Sequence, residues 1–308
     1  MSVVVSVVMP MKNAQDYVYD AVQSILDQNF ERFELIIVDD GSTDTSRKIV
    51  ESFLDERVKV ISGAETGAAD AFNLALSIAT GKYICNCDAD DLFTPNRLSW
   101  QVEWLEMNED YAAVCGAYTS MESNGDKLSQ FNCGEFSEDI SSELLAGITR
   151  TSFCTFLIKK TVLRELGGYR NYFVSAYDID LQLRLATDYK TRYEPINSYF
   201  YRLHNSSITH TQGSNKRVFY ENTAREFLMQ RLNEGLDQLE KGEPPTPPSI
   251  DDQPSDSKVQ IVGYLLGESW RLHNKGYKKK ALNVSIRACM KMPTNWRVWK
   301  NLMMIVLK

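Results

Sequence analysis

Four apolar runs near the start of the chain, Val3 to Met9, Phe33 to Val38, Val58 to Ile61 and Tyr83 to Cys87, constrain its fold more than any other feature. Between them lie segments of helical spacing near 15–28, 44–54 and 68–79. Runs that are apolar throughout belong to strands covered on both faces, and strands separated by helices pair in parallel, so the pattern predicts an α/β sheet flanked by helices. Two of the runs stop at acids. Asp39 and Asp40 follow "ELIIV", and the stretch "YICNCDADDLFTPNRL" sets Asp88, Asp90 and Asp91 at the end of another run. Ligands of open α/β sheets bind outside the carboxyl ends of strands, so the two clusters are expected to line one crevice. Carboxylates crowded in this way repel and raise each other's pKa, which predicts a positive visitor. The alternative is a solvated turn whose acids cap the next helix.

Composition narrows the class. The 308 residues are 43% hydrophobic and 24% charged, enough for one large globular core and an appendage. No window approaches 18 uninterrupted apolar residues and "MSVVVSVVMPMKN" has no basic leader, so a cytoplasmic protein without a membrane span is expected. Six scattered cysteines suit reduced core thiols, and Cys85 and Cys87 have no second pair with which to hold zinc. The net charge of −7 is unevenly spread: from Lys258 to Lys308 there are eleven Lys or Arg and one acid, Glu268, so the tail is about +10 and the remainder about −17. An acidic body excludes nucleic acid as the expected partner, whereas the tail predicts an anionic neighbour. Neither GxxxxGK[ST] nor GxGxxG occurs, which disfavours a P-loop enzyme or an ordinary dehydrogenase.

Beyond Tyr111 to Ser120 the pattern becomes mixed. "TSFCTFLI" reads as a strand, "LGGYRN" as a turn, "AYDIDLQLRLATDY" as a helix starting near Asp178, and "RYEPINSYFYRLH" as a strand. The expected organisation is an α/β domain over 1–213, a connecting helix over 214–241, a flexible linker over 242–257 rich in Pro, Ser and Asp, and a basic helical tail over 258–308. In that tail Trp299, Leu302, Met303 and Val306 fall at helical spacing.

Taken in order, "VSVVMPMKNAQDYV", "FELIIVDDGSTDTS", "GAADAFNLALSIATGKYI", "DADD" and "YDIDLQLRL" closely resemble the motifs of the family 2 glycosyltransferases, over roughly residues 3 to 205. The resemblance implies a GT-A fold, that is, a Rossmann-like, mostly parallel mixed sheet flanked by helices, here with a C-terminal helical extension. It implies an inverting, metal-dependent transfer from a nucleotide sugar, most simply a UDP-sugar, to a saccharide or lipid-linked acceptor in envelope polysaccharide or glycolipid synthesis. By the same resemblance Asp90 is the direct ligand of Mn²⁺ or Mg²⁺, and Asp88 contacts the donor ribose or the metal through water. Asp91 orients the acceptor side or pairs with Arg97. Asp40 meets the pyrimidine edge with Asp39 alongside, and Pro10 and Asn13 match the loop after the first strand. Lys12 stands where relatives carry an aromatic that stacks on the base; a cation there could lie over the base or reach a phosphate. Phe72 replaces an arginine of the family pattern, so no diphosphate-binding arginine is assigned, and Asn73 is a donor-side candidate or a packing residue. Asp178 is the expected base, with Tyr177 where glutamate is usual. Asp180 is the competitor, or the partner of Arg184. His204 matches a position near the donor diphosphate, with His210 a lesser candidate. Acceptor choice is expected to reside in residues 120–150 and 170–177. Alternative readings are a nucleotidyltransferase, for which the loop "MPMKNAQDY" lacks glycines, and an inactive binding protein. The basic tail is a candidate for peripheral contact with the inner face of the cell membrane.

Overall fold

The computed structural model describes residues 2–130, 133–207, 214–249 and 256–307. Its first elements follow the expected alternation: β1 (Val5–Met11), α1 (Val18–Leu26), β2 (Phe33–Asp39), α2 (Ser46–Glu51), β3 (Val58–Ser62), α3 (Ala68–Ile78) and β4 (Tyr83–Asn86). Then come β5 (Leu92–Phe93), α4 (Arg97–Met107), β6 (Tyr111–Glu122), β7 (Lys127–Gln130), β8 (Glu138–Asp139), α5 (Ser141–Leu145), β9 (Leu157–Lys159), α6 (Lys160–Glu165), α7 (Tyr177–Asp188), β10 (Lys190–Leu203) and α8 (Ser214–Glu234). The tail supplies α9 (Ser257–Asn274), α10 (Lys278–Lys291) and α11 (Trp296–Leu307).

The sheet runs in the order β3-β2-β1-β4-β9-β6-β10-β5. Its first four strands are parallel, while β9 lies antiparallel to both β4 and β6, so the sheet is mixed. Successive side chains of the parallel strands point to opposite faces, and each face is covered. Val8, Ile36, Val38 and Ile84 pack beneath α3 with Phe72 and Leu76, whereas Val5, Val7, Leu35, Ile37, Tyr83 and Cys85 pack against α1 and α4 through Val22, Ile25, Leu98 and Val102. Strands buried on both faces are apolar at most positions, which is why their runs were readable. All six cysteines are buried free thiols.

The chain forms two compact units. The first comprises Met1–Tyr118, Asn132–Tyr201 and Asn215–Ile250; the second comprises Thr119–Phe131, Arg202–Ser214 and Asp251–Lys308. In the first unit α8 is no free connector. Tyr220, Ala224, Phe227 and Leu228 form one stripe at helical spacing and bury themselves against Phe173 and Leu183. In the second unit β7 pairs with Thr119 to Met121 of β6, and Glu122 at the end of that hairpin receives Arg287 Nη2 at 3.0 Å together with Lys291 Nζ. The three tail helices share a buried polar node: Asn301 Nδ2 donates to Ser269 Oγ at 3.1 Å and Ser285 Oγ at 2.7 Å, one residue from each helix. Part of the expected linker, residues 250–255, lies outside the described residues, as does His210. Among the described residues no helix is long and apolar enough to cross a membrane.

Candidate active site

Parallel pairing brings the carboxyl ends of β1, β2 and β4 to one edge of the sheet. Met11 is in register with Asp39, Asp40 N donates to Met11 O at 2.8 Å, and Val8 is in register with Asn86. The loops that follow are laced together. Asn13, at a left-handed φ of 52°, donates its N–H to Ser42 Oγ at 3.0 Å and accepts at Oδ1 from Thr43 N at 2.8 Å. Asp39 accepts from Ser42 N at 3.0 Å and faces Arg47 Nη1 at 3.4 Å. Asn13 and Asp39, both expected on the donor side, therefore spend these groups on building the loops. Lys12 is exposed and Pro10 half-buried at the end of β1.

Asp40 is different. It is buried, its Oδ2 accepts from Gly67 N at 2.8 Å, and its Oδ1 is buried without a protein partner. Only a residue lacking a side chain can sit at Gly63, where a Cβ would come within 2.6 Å of Asp40 Oδ1. A buried carboxylate oxygen left without a donor is costly, so a ligand N–H there would be strongly held.

The turn after β4 places Asp88 and Asp90 half-exposed and Asp91 inside, at 1% exposure. Asp91, expected on the acceptor side or with Arg97, is thus an interior group; burial, with the charge of Asp91 contributing, raises the pKa values of Cys87, Cys154 and Tyr199. Arg97, wholly buried, bonds Gln101 Oε1 and Phe156 O and stacks over Phe93 at 3.9 Å. Asp88 is oriented from three sides: Asn86 Nδ2 donates to Oδ1 at 2.9 Å, Cys154 Sγ to Oδ2 at 3.2 Å, and its own N–H donates to Tyr199 Oη at 3.0 Å. Burial, then repulsion from Asp90, raises its pKa. Asn86, Cys154 and Tyr199 had no motif to mark them, since each acts through Asp88.

Asp178 is supplied by a different element, α7. It is the second residue of α7, whose preceding residue Ala176 adopts the left-handed conformation at φ 59° and ψ 16°. A non-glycine residue there is uncommon and marks a constrained turn. Burial, with the charge of Asp88 also contributing, pushes the Asp178 carboxyl up to about 6. Tyr177 senses Asp88, Asp178 and Asp90, and with burial this holds its phenol protonated. Its ring lies 4.8 Å from Tyr169, which lies 4.3 Å from Phe72, so the phenylalanine in place of an arginine extends an aromatic wall.

Asp180 has a different environment from Asp178. It is fully buried and gripped by the Arg170 fork, with Nε at 3.0 Å, and by Arg184 Nε at 2.8 Å. Arg170 Nη1 also reaches Asp237 at 2.6 Å, and Arg231 Nη1 meets the same oxygen at 2.5 Å. Asn73 braces the backbone of Tyr169: its Nδ2 donates to Tyr169 O at 2.8 Å and its Oδ1 accepts from Tyr169 N at 2.9 Å. His204 belongs to the second unit, buried, with Nδ1 2.8 Å from Ser206 Oγ.

Among the described residues no three His, Cys, Asp or Glu side chains gather as a metal site. Asp88 and Asp90 nevertheless fit a hard divalent ion. Mg²⁺ and Mn²⁺ favour oxygen ligands, and Mg²⁺ is commonly held by one or two carboxylates plus substrate phosphates, and the repulsion within this pair is relieved by a cation.

Comparison with known proteins supplies a family. The model for "Glycosyl transferase family 2" matches residues 6–167. TuaG of Bacillus subtilis, a glycosyltransferase named for teichuronic acid biosynthesis, is 41% identical over 130 residues, covering 41% of this chain and 51% of its own. The Escherichia coli UDP-Glc:alpha-D-GlcNAc-diphosphoundecaprenol beta-1,3-glucosyltransferase WfgD is 34% identical over 121 residues, 39% of this chain and 47% of its own. The matches thus span about half the length of these curated relatives. Among solved structures, Staphylococcus aureus TarS 1-349 in complex with UDP-GlcNAc superposes with a TM-score of 0.63 at 16% identity, covering 97% of this chain and 84% of that one. The likeness establishes the same fold: a mixed sheet flanked by helices, with helices at the C-terminal end.

Proposed function

This chain belongs to glycosyl transferase family 2, and we propose that it moves a sugar from a UDP-sugar to a hydroxyl of a saccharide or lipid-linked acceptor in envelope polysaccharide synthesis. The observation that carries this reading is that Asp178, its carboxyl raised by burial, senses the charge of Asp88 in the turn at the end of β4. The activity for which WfgD is named and the UDP-GlcNAc bound to TarS support the donor and acceptor classes.

In this reading Asp40 Oδ1 accepts the N3–H of the pyrimidine, which satisfies its buried lone pair. Asp90, with Asp88, would hold Mn²⁺ or Mg²⁺. Such an ion, when bound, supplies positive charge to the departing diphosphate. The acceptor oxygen attacks the anomeric carbon from the face opposite the nucleotide. A new C–O bond forms as the bond to the diphosphate breaks, and the configuration inverts. Asp178 takes the acceptor proton; a carboxyl raised to about 6 remains mostly ionised at neutral pH yet is a stronger base than an ordinary aspartate. Asn86, Cys154 and Tyr199 keep Asp88 in place. The reaction would take place on the cytoplasmic side, at the membrane that holds a lipid-linked acceptor.

The reading is tested by thermal unfolding with nucleoside diphosphates, with and without Mn²⁺. A ligand at a hundred times its Kd stabilises by about 2.7 kcal/mol. UDP should raise the Tm more than purine diphosphates do, and more so with Mn²⁺. Equal shifts for all nucleotides, or none, would contradict it.

A further inference from the structure

The last helix is apolar on the wrong side. In α11 the residues facing the tail core are Val298, Asn301 and Ile305, all buried. At 3.6 residues per turn, Trp296, Trp299, Met303, Val306 and Leu307 fall together on an opposite arc of roughly 100°. These five are exposed, from 47% at Trp299 to 76% at Leu307. Beside the arc lie the exposed Lys300, whose Nζ is 5.5 Å from the Trp296 ring centre, and Arg297. Packing of the three tail helices thus leaves a contiguous, tryptophan-bearing apolar strip facing outward, which a solvent-facing helix would not carry.

Charge selects the occupant. The tail carries eleven Lys or Arg, and its single acid, Glu268, is taken by Arg271. A second copy brought against this face would bring the same excess of positive charge, which disfavours self-association. An apolar strip with tryptophans, edged by cations and surrounded by a basic field, matches the boundary between headgroups and acyl chains of an anionic bilayer.

We propose that the outer face of α11 lies in the plane of an anionic membrane surface, with Trp296, Trp299, Met303, Val306 and Leu307 in the acyl boundary and Arg297 and Lys300 among the phosphates. This names the surface by which a lipid-linked acceptor, as read above, would be reached, yet it can be tested without any acceptor. The full chain is compared with the double variant Met303→Glu, Val306→Glu, both at exposed positions, in co-sedimentation with phosphatidylcholine vesicles with and without phosphatidylglycerol. Wild type should pellet with the anionic vesicles, release at high salt and blue-shift its tryptophan emission. The variant should partition at least about tenfold less, with unchanged Tm and UDP-induced shift. Equal partition of the two proteins, binding independent of phosphatidylglycerol, or no wild-type binding would overturn the proposal. So would a wild-type dimer that the variant dissolves, since the strip would then be a contact between copies. An intact vesicle result with no UDP response would retain the surface and sink the catalytic reading alone.

Discussion

Asp178 and Asp180 lie two residues apart in one motif, and composition cannot tell them apart. Their surroundings do: Asp180 is neutralised by Arg170 and Arg184, whereas Asp178 is half-buried, has no cationic partner among the described residues and senses the charge of Asp88. Asp178→Asn is therefore expected to lower kcat by about a hundredfold or more at nearly unchanged donor affinity, read by steady-state kinetics. The pH dependence has a definite sign. A base must be deprotonated, so the rate should climb as pH rises through about 6 and level off above it, and the climb should vanish in Asp178→Asn. Asp40→Ala should weaken UDP binding by about tenfold or more while leaving pyrophosphate binding alone, measured by calorimetry. Asn13, Asp39 and Asn73 show why residue roles were only partly legible. Their types suit ligand contact, but an amide or carboxylate is equally suited to lacing loops, and the partner that decides is up to 96 residues away.

At the scale of elements, the position of α7 depends on α8 and the turn beyond it. Arg170 joins Asp180 of α7 to Asp237, Arg231 of α8 joins Asp237, and Tyr172 Oη donates to Pro245 O at 2.6 Å. Asp237→Ala would leave two buried guanidinium groups without their shared carboxylate and should cost about 3–5 kcal/mol in urea unfolding. The Asp237 carboxyl is held below its ordinary value by Arg170 and Arg231 against the cost of burial. Its contribution is therefore complete above the unfolded-state pKa and is lost as pH falls through the lower folded value, so the wild-type advantage over the variant should shrink in acid. None of this was legible. The α8 stripe of Tyr220, Ala224, Phe227 and Leu228 is diluted by charged residues on every other side, and its sequence reads as a polar helix.

For the whole molecule, the parallel half of the sheet could be read because strands covered on both faces are mostly apolar, as in Val5–Met11 and Phe33–Asp39, where only Ser6, Glu34 and Asp39 interrupt the runs. The division into units could not, because it depends on pairings such as Glu122 with Arg287 and Lys291, whose partners are separated by more than half the chain. The acidic pair at the end of β4 stood out in the sequence because like charges placed together call for a counter-charge. The account rests on that pair serving a UDP-sugar, and the most direct test is the rate of UDP release from UDP-sugars by the wild type and by Asp90→Ala, each in Mn²⁺ and in EDTA. The wild type should turn over in Mn²⁺ and stop in EDTA, and Asp90→Ala should be inactive in both while retaining its Tm; full activity of Asp90→Ala in EDTA would contradict the account.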